Sequence, residues 1–136
     1  MAELWDLLRD NRTGTLVTIK RDGRPQLSPV SFTYDGETIR ISSTDDRAKV
    51  RNLRRDPRVS FYVPGPGYDG YIVVEGTATL SEVAAAPDDA AVDELVDVYR
   101  AIGGEHPDWD EYRVAMVTDK RLVIRILVER SYGWAR

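Results

Sequence analysis

A short run of hydroxyl and basic side chains is the part of this sequence best suited to chemistry. Ser42, Ser43 and Thr44 end a predicted strand, and Arg47 and Lys49 follow in the first turns of a predicted helix. Unpaired N–H groups and the positive dipole end at a helix N-terminus favour an anion, and hydroxyl and cationic groups complete such a site. The pattern predicts a phosphate site, with a merely capped surface helix and solvated arginines as the alternative.

The distribution of charge favours a small anionic ligand over nucleic acid. The 136-residue chain has a net charge of −4, yet the segment Arg47–Arg58 holds six basic residues and one acidic residue. General nucleic-acid binding needs a broad basic surface that neutralises many phosphates, so we expect no nucleic-acid partner. A compact basic segment on an acidic protein instead suits a single small anion.

The remaining reactive residue types exclude several classes of site. The sequence has no cysteine and one histidine, His106, so we predict neither a thiolate nucleophile nor a metal site. No serine or carboxylate can be grouped with His106, and no catalytic residue is predicted. Chemistry beyond acid–base catalysis would therefore need a bound cofactor.

A glycine-rich loop precedes one of the predicted strands. Residues 65–70 have the glycine spacing of a dinucleotide-binding fingerprint, but the residues after them continue as a strand rather than opening a helix. We interpret the segment as a flexible loop. Its Tyr68, and Tyr71 just beyond it, could cover a planar ring, although ordinary packing is the commoner role of such residues.

The elements that must position these groups are short strands joined by tight turns. Alternating and β-branched residues predict strands at 14–20, 26–34, 38–42, 59–63, 71–80 and 122–130. Apolar periodicity predicts a short N-terminal helix, a helix from Asp45 capped by Thr44 or Asp45, and helices near 87–103 and 108–117. Pro25 and Pro29 place the second strand at a sheet edge or at a bulge.

These elements predict one mostly β domain with peripheral helices over residues 1–136. The six strands would form an antiparallel sheet closed on itself, with an open sandwich as the alternative. The N-terminal residues lack the features of a signal peptide, and no apolar run is long enough to span a membrane. We therefore expect no membrane association and a cytoplasmic location.

Three segments, taken in order, resemble the pyridoxamine phosphate oxidase-like split-barrel proteins. They are residues 14–28, 47–57 and 74–80, and the likeness extends over nearly the whole chain. The sequence is similar, more narrowly, to the actinobacterial branch that uses the deazaflavin coenzyme F420. The resemblance implies a six-stranded antiparallel split β-barrel, the FMN-binding split barrel, and a homodimer with two cofactor sites at the subunit interface.

The resemblance also implies roles for individual residues. Arg47 and Lys49 would hold the cofactor phosphate, together with Ser42, Ser43 and Thr44 at the preceding strand end. The strand that carries Gln26, Leu27 and Ser28 would back the tricyclic ring, and Tyr68 or Tyr71 would reach the ring from the partner subunit. The residues that suit an anion on physical grounds are thus the ones that the resemblance assigns to the phosphate.

The function implied is an F420-dependent oxidoreductase that transfers hydride from reduced deazaflavin to an electrophilic double bond of a small molecule. Arg51, Arg54 and Arg55 mildly favour the longer, polyglutamylated anion of F420 over FMN. One alternative is an FMN-binding oxidase or flavin reductase of the same fold, and another is a cofactor carrier or ligand sensor without catalysis. The C-terminal residues 132–136 are a weak counterpart of the basic C-terminus of the vitamin-synthesising oxidases, so pyridoxamine phosphate oxidation is not expected.

Overall fold

The computed structural model describes residues 3–135, which form seven strands and four α-helices. In chain order these are α1 (Asp6–Arg9), β1 (Thr13–Ile19), β2 (Pro25–Ser31), β3 (Thr33–Tyr34), β4 (Thr38–Thr44), α2 (Ala48–Arg55), β5 (Arg58–Pro64), β6 (Tyr71–Leu80), α3 (Ala90–Gly103), α4 (Trp109–Thr118) and β7 (Arg121–Trp134). A 3₁₀ turn, Pro66–Tyr68, lies in the loop before β6.

All seven strands belong to one antiparallel sheet in the order β2-β1-β5-β6-β7-β4-β3. The sheet curls so that its inward side chains share one core, which includes Leu16, Phe32, Ile41 and Phe61, all fully buried. The predicted fold class, a mostly β antiparallel split barrel with peripheral helices, is confirmed.

The predicted second strand is divided in two, which explains why the structure has seven strands rather than six. Phe32 is buried in the core and donates its N–H to the Arg12 carbonyl at 2.8 Å, at the end of the β1–β2 ladder. Beyond Phe32 the chain leaves β1 and pairs with β4, where Thr33 lies opposite Arg40. The chain therefore changes its partner strand at Phe32, and the two strands on either side of it, β2 and β3, lie at opposite ends of the strand order.

This change of partner leaves a gap between β2 and β4, called the split below. Strand β2 is the edge strand next to β1, as its two prolines predicted. Strand β3 covers only Ile39 and Arg40 of β4, so residues 42–44 of β4 have no partner on that side within the described chain. The split is thus bordered by the open edge of β2 and by the end of β4.

Helix α2 follows β4 and is attached beside the split by its polar and apolar faces. Val50 and Leu53 enter the core, and the amide of Asn52 donates to the Thr18 hydroxyl at 3.0 Å and to the Gln26 side chain at 3.3 Å. Thr18 is fully buried and Asn52 nearly so. A buried amide with two partners holds the helix at a fixed place against β1 and β2.

The predicted start of α2 is wrong. The helix begins at Ala48, Arg47 occupies the N-cap with extended backbone, and no side chain of residues 3–135 caps it. Thr44 and Asp45, the predicted caps, are engaged elsewhere: the Thr44 hydroxyl donates to Asp46 at 2.8 Å, and the Asp45 carboxylate pairs with Arg54 at 2.6 Å.

Helices α3 and α4 form a second apolar cluster against one half of β7. Leu95 and Tyr112 are buried there with Val123, and the Tyr112 hydroxyl donates to the Leu95 carbonyl at 3.0 Å. The side chains of Asp89 and Asp108 cap the two helices, close to the predicted starts. None of the helices among residues 3–135 combines the length and the apolar character that crossing a membrane would require.

Candidate functional site

The N-terminus of α2 is open and faces the split. Val50 donates to the Arg47 carbonyl at 3.0 Å, but the N–H groups of Ala48 and Lys49 have no acceptor among the described residues. Most exposed helix N-termini receive a side-chain cap, which satisfies one or two of these donors. Here the donors and the positive end of the helix dipole stay available to an anion.

Three cationic side chains gather at this helix end. Arg47 and Lys49 come from α2, and Arg121 comes from the start of β7, where it lies directly opposite Thr44 of β4. Arg121 donates to the Ser42 hydroxyl at 3.2 Å. None of the three forms an ion pair with a carboxylate of residues 3–135, and we call them the cation trio.

Lys49 shows the electrostatic consequence of this grouping. Burial lowers the pKa of the Lys49 ammonium below its ordinary value of 10.5, and the like charges of Arg47 and Arg121 lower the pKa further. A partly buried cation without a counter-ion is unfavourable, because both desolvation and repulsion oppose its charged form. An anion bound between the three side chains would reverse both effects.

Three of the four other basic residues of this segment are engaged with the protein itself. Arg54 pairs with Asp45, Arg58 pairs with Asp56 at 2.8 Å, and Arg55 donates to the Ile19 carbonyl at 2.8 Å. Of the three arginines expected to favour a long polyanionic tail, Arg51 is the one whose side chain has neither a hydrogen bond nor an ion pair with the described residues, whereas Arg54 has an ion pair and Arg55 has hydrogen bonds. The basic surplus that the sequence suggests is therefore much smaller in the folded chain.

A cleft of about 490 Å³ adjoins the open helix end. Its near wall is formed by residues 44–47 and its far wall by residues 118–120, where α4 ends and β7 begins. The Lys120 carbonyl accepts from the Asp45 N–H at 2.9 Å and ties the two walls together. Lys120 has a left-handed backbone, with φ of 52°, which is unfavourable for a residue with a side chain.

The three predicted hydroxyl residues lie in different surroundings. Ser42 is half-buried beside Arg121, and Thr44 lines the cleft. Ser43 points into the barrel, is 3% exposed and donates its hydroxyl to the Thr44 carbonyl at 3.1 Å. The geometry thus groups Ser42 and Thr44 with the cation trio, whereas the predicted role of Ser43 gains no support from it.

The predicted ring-facing residues lie on β2, across the split from the end of β4. Leu27 points outward and is 62% exposed, which is unusual for a leucine on a strand. Gln26 and Ser28 are half-buried, and Gln26 is joined to α2 through Asn52. The β2 segment and the cation trio therefore border the same opening.

Tyr68 and Tyr71 are not brought to the split within one chain. Tyr71 lies on β6, which two strands separate from β2, and its ring packs 6.0 Å from Tyr62 and 6.5 Å from Tyr132, between centroids. Tyr68 is 80% exposed and has a left-handed backbone, with φ of 63°. These tyrosines can reach a ligand in the split only from a second copy of the chain.

Arg121 is the residue of this site that sequence reasoning missed. It lies 77 positions after Thr44 and stands in an ordinary strand start, with no motif around it. The β4–β7 register places it beside Ser42 and Lys49, and that register is a long-range property of the sheet. Arg121 could have been predicted as part of the site only if the pairing of β7 with β4 had been known.

Comparisons with known proteins agree with this architecture. Residues 1–135 match the family described as pyridoxamine 5′-phosphate oxidase. A conserved hypothetical protein from Mycobacterium tuberculosis is 31% identical, with a TM-score of 0.76 over 98% of this chain and 84% of that one. A structure described as an F420 reductase is 26% identical, with a TM-score of 0.68 over 97% of this chain and 98% of that one.

A more distant structure shows the same fold. It is an FAD-binding protein from Mesorhizobium loti, 24% identical, with a TM-score of 0.65 over 94% of this chain and 87% of that one.

We predict that Lys49→Met raises the thermal stability of the ligand-free protein in low salt. The change removes a partly buried charge and its repulsion, which together are worth about 1 kcal/mol or less, so Tm should rise by roughly 2–4 °C. Because the pKa of Lys49 is lower in the folded than in the unfolded protein, wild type should gain stability as pH rises from the folded-state pKa towards the ordinary value of 10.5. The difference in Tm between Lys49→Met and wild type should therefore shrink at alkaline pH.

Lys20→Met serves as the matched control, since Lys20 is exposed on the β1–β2 turn. Thermal melts at pH 7 and in the alkaline range measure both variants. A Tm that falls in Lys49→Met would contradict the interpretation of Lys49 as an uncompensated charge.

Proposed function

Since the chain belongs to the pyridoxamine 5′-phosphate oxidase family, whose fold binds flavin-type cofactors, we propose that it is an F420-dependent oxidoreductase. It would transfer hydride from reduced F420 to an electrophilic double bond of a small molecule. The observation that carries the proposal is the cation trio at an uncapped helix end, three positive groups with no carboxylate partner among residues 3–135.

Different residues beside the split would bind the phosphate and hold the phosphate-binding groups in position. Arg47, Lys49 and Arg121 would hold the phosphate of the cofactor, with the N–H groups of Ala48 and Lys49 as further donors. The Ser42 hydroxyl keeps Arg121 directed towards this place. Helix α2 is fixed by Asn52, so the phosphate site is formed before the ligand arrives, and little ordering is needed on binding.

The reduced deazaflavin supplies a hydride when bound, and the protein supplies position. Charge pairing at the phosphate fixes one end of the cofactor, and the β2 edge across the split would fix the ring. Leu27, with its exposed side chain, gives an apolar surface at that place. Reduction of the double bond also requires a proton at its second carbon, and solvent water would supply that proton.

Two observations support F420 as the cofactor. The F420 reductase structure aligns over almost the full length of both chains at 26% identity. Arg51 makes no ion pair among the described residues, and Lys120 lines the far wall of the adjoining cleft, so both remain available to a longer anionic tail. FMN, with a single phosphate, would use the cation trio alone and is the alternative cofactor.

We also propose that the working unit is a homodimer. The outer face of β5, β6 and β7 carries the ring cluster of Tyr62, Tyr71 and Tyr132, and Tyr132 and Trp134 remain 51% and 49% exposed. Aromatic surface of this kind is typical of the buried centre of an interface. A second copy on this face could bring its Tyr68, whose strained backbone holds the ring in solvent, to the split.

We expect the purified protein to bind F420 more tightly than FMN. Reduced F420 should be oxidised in the presence of small molecules with an activated double bond, such as an enone or a tetrapyrrole. Equilibrium titration with each cofactor and absorbance assays of F420H2 turnover measure the two properties. Preferential retention of FMN would favour the oxidase or flavin reductase alternative, and F420 binding without any turnover would favour a carrier.

Substitution of the cation trio should weaken cofactor binding through the phosphate. Each of Arg47→Ala, Lys49→Ala and Arg121→Ala removes a charged hydrogen-bond donor, which should reduce affinity by about 1.5–3 kcal/mol. Riboflavin, which lacks the phosphate, should bind all variants and wild type alike. Arg58→Ala is the matched control, since Arg58 pairs with Asp56 outside the site. Unchanged F420 and FMN affinity in all three variants would refute the phosphate assignment.

Tyr132→Glu should convert the dimer to a monomer, because it places a charge in the proposed interface. Sedimentation velocity measures the oligomeric state. A control variant must lie on the protein surface, which excludes Tyr99 because its ring packs on Tyr112 of α4. Glu111→Gln, on the exposed face of α4, is the appropriate control. A wild-type protein that sediments as a monomer with cofactor bound would refute the dimer.

A further inference from the structure

A buried side-chain amide connects helix α2 to two neighbouring strands at once. The N–H groups of the Asn52 side chain donate to the Thr18 hydroxyl at 3.0 Å and to the Gln26 side chain at 3.3 Å. The Asn52 side-chain carbonyl accepts from Arg55 at 3.1 Å, so both donors and the acceptor of the amide are used. Thr18 and Gln26 lie directly opposite each other in the β1–β2 ladder. We call Asn52 with this cross-strand pair the amide bridge.

The amide bridge is the directional part of the contact between α2 and the barrel. The helix has eight residues, and Val50 and Leu53 attach it to the core through apolar contacts. Apolar attraction is non-directional, whereas a hydrogen bond weakens steeply when its distance or angle changes. Arg55 adds a bond of 2.8 Å to the Ile19 carbonyl of β1. Hydrogen bonds at residues 18, 19 and 26 therefore set the position of the helix on the β1–β2 pair.

The amide bridge lies between the two places that the proposed function assigns to one ligand. Lys49 of the cation trio precedes Asn52 by three residues, which puts the two side chains on the same face of α2. Leu27, the exposed apolar residue of β2, follows Gln26 in the chain. A shift of α2 on the strands would therefore change the distance between the phosphate site and the ring site.

A ligand that occupies two sites at once depends on the distance between them. Once the phosphate is bound, the ring meets its own site at an effective concentration that is highest when the spacing of the sites matches the ligand. Small displacements also slow a transfer reaction, because the reacting atoms must lie near contact distance. A fixed spacing thus raises affinity for the intact cofactor without strengthening either site alone.

Stability gives little reason for an amide at this buried position. The bonds of a buried polar group replace bonds to water, so apolar partners of the same shape are often equally stable. The best-attested role of buried polar groups is to fix one register among several that apolar packing would allow. The amide bridge suits that role, since it ties the helix to one particular cross-strand pair.

We propose that Asn52 is a positioning residue that sets the spacing between the phosphate site and the ring site, so that a phosphate held by α2 places the cofactor ring at β2. The inference rests on the proposed function, because both sites belong to it. It adds that the two sites act as one unit, and that this coupling depends on a buried residue outside the cation trio.

The coupling can be measured with FMN and its two halves. Riboflavin carries the ring, and inorganic phosphate carries the charge. The product of their dissociation constants, divided by that of FMN, gives the effective concentration of one half beside the other. In Asn52→Leu and in Thr18→Val this effective concentration should fall by about tenfold or more, while each half keeps its affinity within about twofold. If wild type binds F420 alone, F420 and its phosphate-free deazaflavin moiety replace FMN and riboflavin.

The double variant Thr18→Val/Asn52→Leu separates positioning from stability. Each single change leaves a buried polar partner unsatisfied and should lower Tm, whereas the double change makes both partners apolar at similar volume and should recover much of that loss. The effective concentration should stay low in the double variant, which also keeps the test available if a single variant does not fold. Val92→Ala is the control, because Val92 is buried in the second apolar cluster and its truncation should lower Tm without changing the coupling.

The failures of the two hypotheses are distinguishable. An effective concentration that follows Tm, recovering in the double variant or falling in Val92→Ala, would assign Asn52 a structural role only and overturn the inference, while phosphate binding by the cation trio remained. An unchanged effective concentration in the folded double variant would overturn it equally. If wild type binds neither F420 nor FMN, the proposed function fails and the inference fails with it. A low effective concentration at recovered Tm, with both halves bound as in wild type, would support the inference.

Discussion

Repulsion between like charges is the constraint on which the candidate site depends. Arg47, Lys49 and Arg121 would separate in a flexible chain, and here three different structural restraints prevent it. The β4–β7 register fixes Arg121, the buried Asn52 fixes α2, and burial limits the freedom of Lys49. Holding these cations together with no carboxylate partner among residues 3–135 costs some stability, a pattern that is common at functional sites.

The barrel provides the opening for this site by leaving its own closure incomplete. A strand that paired with β4 along its whole length would seal the sheet and bury residues 42–44. Phe32 prevents this, because its ring occupies the core and packs edge-on against Phe61 with 4.8 Å between centroids. The chain must turn there from β1 to β4. The same buried phenylalanine thus closes the core and separates the two edges that form the split.

Much of this arrangement could be predicted from local sequence, and the remainder depends on long-range pairing. Alternation and turn residues predicted the strands and the edge position of β2, and Ser42, Arg47 and Lys49 were predicted by their types at a strand-to-helix junction. The start of α2 was predicted incorrectly, because Asp45 is an ordinary cap residue until Arg54 takes its carboxylate. Arg121 and the division at Phe32 could not be predicted, since both follow from which strands become neighbours.

One further property follows from the irregularity between β6 and β7. The register shifts between Glu75 and Gly76, where Val128 and Arg130 face consecutive residues of β6. Before this bulge the even-numbered residues of β7 point inward, and after it Tyr132 and Trp134 point outward. The inward-facing residues of β7 are therefore even-numbered in its first half, which packs against the helices, and odd-numbered in its second half, which carries the outward aromatic rings. Deletion of one residue here would rotate both rings into the barrel, so the length of this strand is as constrained as its composition.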